Sequence, residues 1–108
     1  MKFLALLSLF AIVVAHAAKP TPPAGFIALF NGKNLDGWWG LKTEDPAKWM
    51  ALSPDQLAAK KKASIVDIHK HWTVEDGVLV NDGHGLYLST EKNYGDFEFL
   101  VDYKTVAK

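Results

Sequence analysis

The strongest constraint on this 108-residue chain is a series of glycine turns set between short apolar runs. Trp72-Thr73-Val74 and Val78-Leu79-Val80 flank Glu75-Asp76-Gly77. Asp-Gly between two β-type runs predicts a hairpin, because both turn residues tolerate positive φ. Asn81-Asp82-Gly83-His84-Gly85 predicts a second turn, and Leu86 to Ser89 a strand. A further turn is expected at Tyr94-Gly95-Asp96. Beyond it Phe97, Phe99, Val101 and Tyr103 alternate with Glu98, Leu100, Asp102 and Lys104, the period of a strand. Short strands at regular spacing predict an all-β antiparallel sandwich or jelly roll.

The first half of the chain adds to this pattern and then interrupts it. Gly25 to Phe30 is a short apolar run closed by Asn31-Gly32, which predicts a strand buried on both faces. Asp36-Gly37 then delivers Trp38 and Trp39 into the fold. A helical insertion is expected over about residues 53–71. Ser53 as N-cap, Pro54 at the first helical position and Gln56 at N3 make a capping box. Ser64 with Asp67 resembles a second cap, so the insertion is expected as one interrupted helix or two short ones. Ile65, Ile68 and Trp72 fall at i, i+3 and i+7, on one helical face.

Residues 1–17 have the grammar of a signal peptide: Met1-Lys2, an apolar run from Phe3 to Val14 broken only by Ser8, and Ala15-His16-Ala17. The run is shorter than the roughly 20 apolar residues of a membrane span. Cleavage is expected after Ala17, giving a secreted or periplasmic product with no membrane span. A stiff proline-rich linker over 18–24 leads into the domain at 25–108. The chain has no cysteine, so neither a disulfide nor an N-terminal lipid on cysteine is available.

Every basic side chain besides histidine is lysine. Arginine is the usual reader of phosphate and guanine, and its absence argues against nucleic acid as a partner. The one basic cluster, Lys60-Lys61-Lys62, is expected to be a solvated helix face. Four or five strands make at most one sheet, whose apolar face needs a cover. The expectation is therefore one part of a larger domain.

Site candidates are few. Glu98 and Asp102 share a strand face four residues apart, so roughly 13 Å separates them. Retaining glycosidase pairs need about 5–5.5 Å and inverting pairs about 6.5–9.5 Å. These two are thus either a solvated face or one wall of a cleft completed elsewhere. His69 and His71 would lie on different faces of a helix, and no third ligand stands near them, so no metal is expected. His84, between glycines, is the histidine best placed to approach a ligand, with an ordinary exposed turn residue as the plainer reading. Trp38 and Trp39 are expected in packing, with a sugar-stacking platform as the alternative. No nucleotide loop, nucleophile elbow, zinc helix motif or calcium loop is present, and no cofactor is expected.

Three phrases in order, GFIALFNGKNLDGWWG, WTVEDGVLVNDG and GLYLSTEKNYGDFEFLVDYK, resemble the N-terminal half of the 3-keto-disaccharide hydrolase domain family. The stretch from Lys42 to His71 fits that pattern less well and resembles a subgroup insertion. The resemblance implies a concanavalin-like jelly roll, of which this is a part, exported by bacteria. It also implies a carbohydrate partner, a glycoside oxidised at C3, and glycosidic hydrolase activity. It carries over no catalytic residue. His84, Tyr87, Glu98 and Asp102 are candidates for lining the substrate cleft because they sit on the best-matched phrases. A non-catalytic carbohydrate-binding jelly roll is the alternative, since fold does not fix function.

Overall fold

A computed structural model describes residues 21–107. The signal peptide expected at 1–17 and the first three residues of the expected linker, 18–20, lie outside the described residues. Four strands and two helices follow in the order β1 (Trp38–Leu41), α1 (Pro46–Met50), α2 (Pro54–His71), β2 (Trp72–Glu75), β3 (Val78–Asn81) and β4 (Tyr87–Thr90). The strands form two antiparallel ribbons, β1 with β4 and β2 with β3. All strand pairing among the described residues is thus antiparallel.

The β2–β3 hairpin forms for a local reason. Asp76 and Gly77 both take positive φ, +49° and +76°, the backbone that a two-residue type I′ turn demands. That turn sets the register Glu75 to Val78 through Trp72 to Asn81. The β1–β4 ribbon has no such turn. Trp38 pairs with Thr90 and Leu41 with Tyr87 across the whole length of α1, α2 and the hairpin.

Helix α2 starts where the sequence predicts. The Ser53 hydroxyl accepts from the Gln56 N–H at 3.2 Å, and the Gln56 side chain accepts from the Ser53 N–H at 3.1 Å. It then runs unbroken for 18 residues, so Ser64 is not a second cap. Ser64 is buried instead. Its hydroxyl donates to the Lys61 carbonyl at 2.7 Å and accepts the Gly40 N–H at 3.0 Å, tying α2 to β1. Ile68 is completely buried, whereas Ile65 is exposed, so the expected Ile65–Ile68–Trp72 stripe is not the inward face. The stripe that faces β1 runs through Lys61, Ser64 and Ile68, spaced at i, i+3 and i+7.

Gly40 is where this contact is closest. A Cβ there would lie 2.8 Å from the Leu86 Cβ and 2.9 Å from Ile68 Cγ2. Only glycine lets strand and helix approach this far. Beside it Trp39 is 2% exposed and, with Leu35 and Ile68, is one of three buried apolar side chains among the described residues. The Trp39 indole donates to the Thr90 carbonyl at 3.1 Å and meets Trp49 edge-on, with centroids 5.3 Å apart. Trp38 is half-buried on the neighbouring position, so both indoles are in packing as expected.

The lysine run is not a solvated face throughout. Lys60 reaches Glu44 at 2.8 Å, and Lys61 reaches Glu91 at 2.7 Å while its ammonium stands 5.1 Å over the Trp39 ring. Two of the three lysines therefore join α2 to the segments flanking the ribbon. Lys62 is exposed.

Two expected strands are absent among the described residues. Gly25 to Phe30 forms a turn and irregular chain, with Gly25 at φ +85° and the Phe26 N–H closing onto the Pro23 carbonyl at 3.0 Å. Ile27 is 83% exposed, the opposite of a strand buried on both faces. The turn takes up the amide that a ladder would need. Residues 97–107 are exposed, and neither ribbon includes this segment as a strand. Its alternation of apolar and polar residues is real, but the partner that would make it a strand is missing among the described residues. The helix α1 was not anticipated. Asp45 caps it by accepting the Ala47 N–H at 3.0 Å, with Pro46 at its start.

Candidate functional site

The hairpin register has a consequence just beyond its last pair. Trp72 faces Asn81, so the next positions outward, His71 and Asp82, stand opposite each other. The Asp82 N–H donates to the His71 carbonyl at 3.1 Å, extending the ladder by one bond. Directly opposed residues on adjacent strands project to the same side. The side chains meet there: His71 Nδ1 lies 2.8 Å from Asp82 Oδ2.

The loop that follows locks this pair. Asp82 Oδ1 accepts the His84 N–H at 2.9 Å, and Asn81 Oδ1 accepts the Gly83 N–H at 2.8 Å. The Asn81 amide donates to the His71 and His84 carbonyls, which closes the end of α2 against the turn. Gly85, at φ +81°, lies directly on the His71 ring. A Cβ there would fall 2.5 Å from its Cδ2. The His84 ring stands 6.3 Å from the His71 ring, centroid to centroid. Beneath the loop, the Trp72 indole donates to the Leu86 carbonyl at 2.9 Å, and Asp67 accepts the Leu86 N–H at 2.8 Å.

The electrostatics of the cluster follow from that geometry. The hydrogen bond from His71 holds the Asp82 carboxyl below its ordinary value. Partial burial opposes this, while the His84 N–H and the charge of the two imidazoles add to it. Asp82 is therefore an anion at neutral pH, and a carboxylate can only accept. The proton of a neutral His71 must then sit on Nδ1, leaving the lone pair on Nε2. A carboxylate-oriented imidazole of this kind can take up and return a proton.

Of the residues singled out in the sequence, His84 is in this cluster and Tyr87 opens β4 immediately after it, exposed. Glu98 and Asp102 lie on the extended segment over 97–107, and the structure does not bring them to the histidines as a group. His71 and Asp82 were missed. The signal was present: once Asp76-Gly77 is the turn, positions equally spaced on either side of it pair, and His71 pairs with Asp82. Reading His71 only as a helical residue hid that relation. It is in fact the last residue of α2 and the first of the extended ladder. Among the described residues, no group of three or more His, Asp or Glu side chains is placed to hold a metal ion. No helix of the described residues is long and apolar enough to cross a membrane.

Antiparallel ribbons carrying an Asp-held imidazole at a glycine-rich turn define a chain with the means for proton transfer. The chain belongs to the 3-keto-alpha-glucoside-1,2-lyase-like domain family, whose model matches residues 25–108. No curated protein and no solved structure matched it.

Proposed function

We propose that this protein contributes to an exported hydrolase that cleaves glycosides already oxidised at C3 of the sugar ring, on a concanavalin-like jelly roll. The observation that carries the reading is the His71–Asp82 pair within a chain of this family. A ketone at C3 acidifies the proton on C2. In the proposed reaction His71 Nε2 removes that proton, and the electron pair left on C2 is delocalised onto the C3 oxygen as an enolate. The enolate collapses to a C1–C2 double bond as the C1–O bond breaks, and the leaving oxygen takes up a proton. Water then adds across the double bond, hydroxyl to C1 and hydrogen to C2, so that the net change is hydrolysis. Such chemistry needs one base and a donor for the enolate, rather than two carboxylates at glycosidase spacing.

Asp82 is a positioning residue in this scheme, fixing the tautomer and aim of His71. His84 and Tyr87, adjacent in the turn and at the head of β4, are assigned to the substrate cleft beside the base. Glu98 and Asp102 are assigned to its outer wall. The signal-like segment at 1–17 supports delivery outside the cytoplasm.

Incubation with a 3-keto-disaccharide and with its unoxidised parent tests the proposal. Release of reducing sugar from the keto form alone is the expected result, with His71→Ala abolishing it. Saturable binding of both sugars with no turnover would replace this reading with that of a carbohydrate-binding module.

A further inference from the structure

A concavity lies at the other end of β4, away from the histidine turn. Gly40 faces α2, so by strand alternation its neighbours Trp39 and Leu41 point to the other side of the ribbon, together with Ser89 opposite Trp39. There an open cleft of about 320 Å³ is bounded by the rings of Trp49, Tyr94 and Phe97. Tyr94 is 47% and Phe97 71% exposed, so their faces are available to a ligand. Ser89, Lys92 and Asn93 supply a hydroxyl, an ammonium and an amide at the rim. Among the described residues no carboxylate lines it. Trp39 forms the floor but is committed, its N–H to Thr90 and its ring to Trp49 and Lys61.

The geometry points to a subsite for one neutral pyranose ring. A pyranose has an apolar C–H face and a rim of hydroxyls, which matches aromatic walls under a neutral and cationic hydrogen-bonding edge. The lack of a carboxylate disfavours cationic ligands. The volume is at the low end of ligand sites, which span roughly 300–1,000 Å³, and so suits one ring rather than an extended chain. The cleft lies at the far end of β4 from His71 and shares no lining residue with the histidine turn, so it is a carbohydrate site separate from the proposed base.

Titration of the full chain with methyl β-glucopyranoside and with cellobiose, followed by tryptophan fluorescence and amide chemical shifts, tests this directly. Neither probe carries a ketone, so the result is independent of turnover. The expected result is a saturable response centred on Trp49, Ser89 and Asn93. Trp49→Ala should weaken binding about tenfold, the equivalent of one stacked ring, with Trp49→Phe restoring most of it. Asn93→Ala, at an exposed position, should weaken binding without touching the core, so a folding defect in the Trp49 variant leaves the test intact. Absence of saturation with either sugar, or binding unchanged in both alanine variants, overturns the subsite even if keto-sugar turnover is observed. Binding without turnover of any keto-sugar sustains the subsite as a pyranose site and overturns only the hydrolase reading. Uptake of the apolar dye ANS, displaced by neither sugar, identifies the cleft as a packing face and ends the proposal.

Discussion

The two ribbons are built by opposite means. The β2–β3 hairpin is joined by a two-residue turn, and its members lie within ten positions of one another. The β1–β4 ribbon joins residues such as Trp39 and Thr90, 51 positions apart, and depends on α2 to hold β1 in place. The first is specified by backbone preference and the second by packing. The histidine pair sits at the end of the locally specified ribbon, while the buried indole and the aromatic cleft belong to the packed one. The proposed chemistry and the buried packing thus draw on different parts of the chain.

Trp39→Ala should have the largest effect, because this side chain is the main volume of a three-residue core. Truncation of a buried aromatic costs about 3–5 kcal/mol, a large share of the roughly 5–15 kcal/mol that holds an ordinary domain folded. The comparison predicts an uneven loss. Thermal or urea unfolding should lose the β1–β4 and α2 signals together, while amide exchange over Trp72 to Asn81 retains its turn-dependent protection. Equal loss in both ribbons would show that the hairpin is not specified locally.

Gly40→Ala probes the same ribbon with a smaller change. Its Cβ would enter within 3 Å of both Leu86 and Ile68, forcing strand and helix apart at a cost of about 1–3 kcal/mol. The corresponding probe of the hairpin end is Gly85→Ala. The new Cβ would press on the His71 ring, and the φ of +81° adds strain of about 1–2 kcal/mol. The two should be separable by readout. Gly40→Ala should lower the denaturation midpoint, whereas Gly85→Ala should chiefly displace the His71 imidazole signals in NMR and reduce keto-sugar turnover.

The same division explains what could be read in the sequence. The hairpin, the capping box at Ser53 and the positive-φ turns were legible because each depends on residues within a few positions. Helix α2 was legible at its start but not in its orientation. Its inward face is carried by Lys61 and Ser64 beside Ile68, so no apolar stripe announces it. The apolar run at Gly25–Phe30 misled for the converse reason. Its composition suits a strand, but a turn at Gly25 and the lack of a partner strand among the described residues leave Ile27 in solvent. In the candidate cluster, only His84 stood out in the sequence, from its flanking glycines. The His71–Asp82 pair required carrying the hairpin register one step past its apolar part.

Ser53→Ala tests a local element on the packed side. Loss of the cap to Gln56 should cost about 1 kcal/mol, seen as a lower denaturation midpoint with the denaturant slope unchanged. Because α2 carries both Ser64 and His71, early fraying should leave the far end of the helix, and hence turnover, nearly unaffected. A parallel fall in activity would mean that the ribbons are coupled through α2 more tightly than their hydrogen bonds indicate.

Asp82→Asn gives the smallest expected change in stability, since the carboxylate is exposed, but it has a diagnostic sign. A carboxyl held below its ordinary value in the folded state stabilises that state above the unfolded pKa, about 3.9. The contribution is lost as pH falls through the lower folded value. Wild type should therefore lose a small advantage over Asp82→Asn as pH drops below about 4, and the two should converge under more acid conditions. Denaturation midpoints from pH 6 down to about 2 would show this, as the asparagine cannot titrate there. At neutral pH the effect on activity should be far larger than that on stability. An amide can turn either its oxygen or its N–H₂ toward His71 Nδ1, so the tautomer is no longer dictated and Nε2 is no longer reliably the base. Turnover falling sharply with little change in midpoint would place Asp82 in the chemistry. A shared loss would make the pair a structural tie between α2 and the turn.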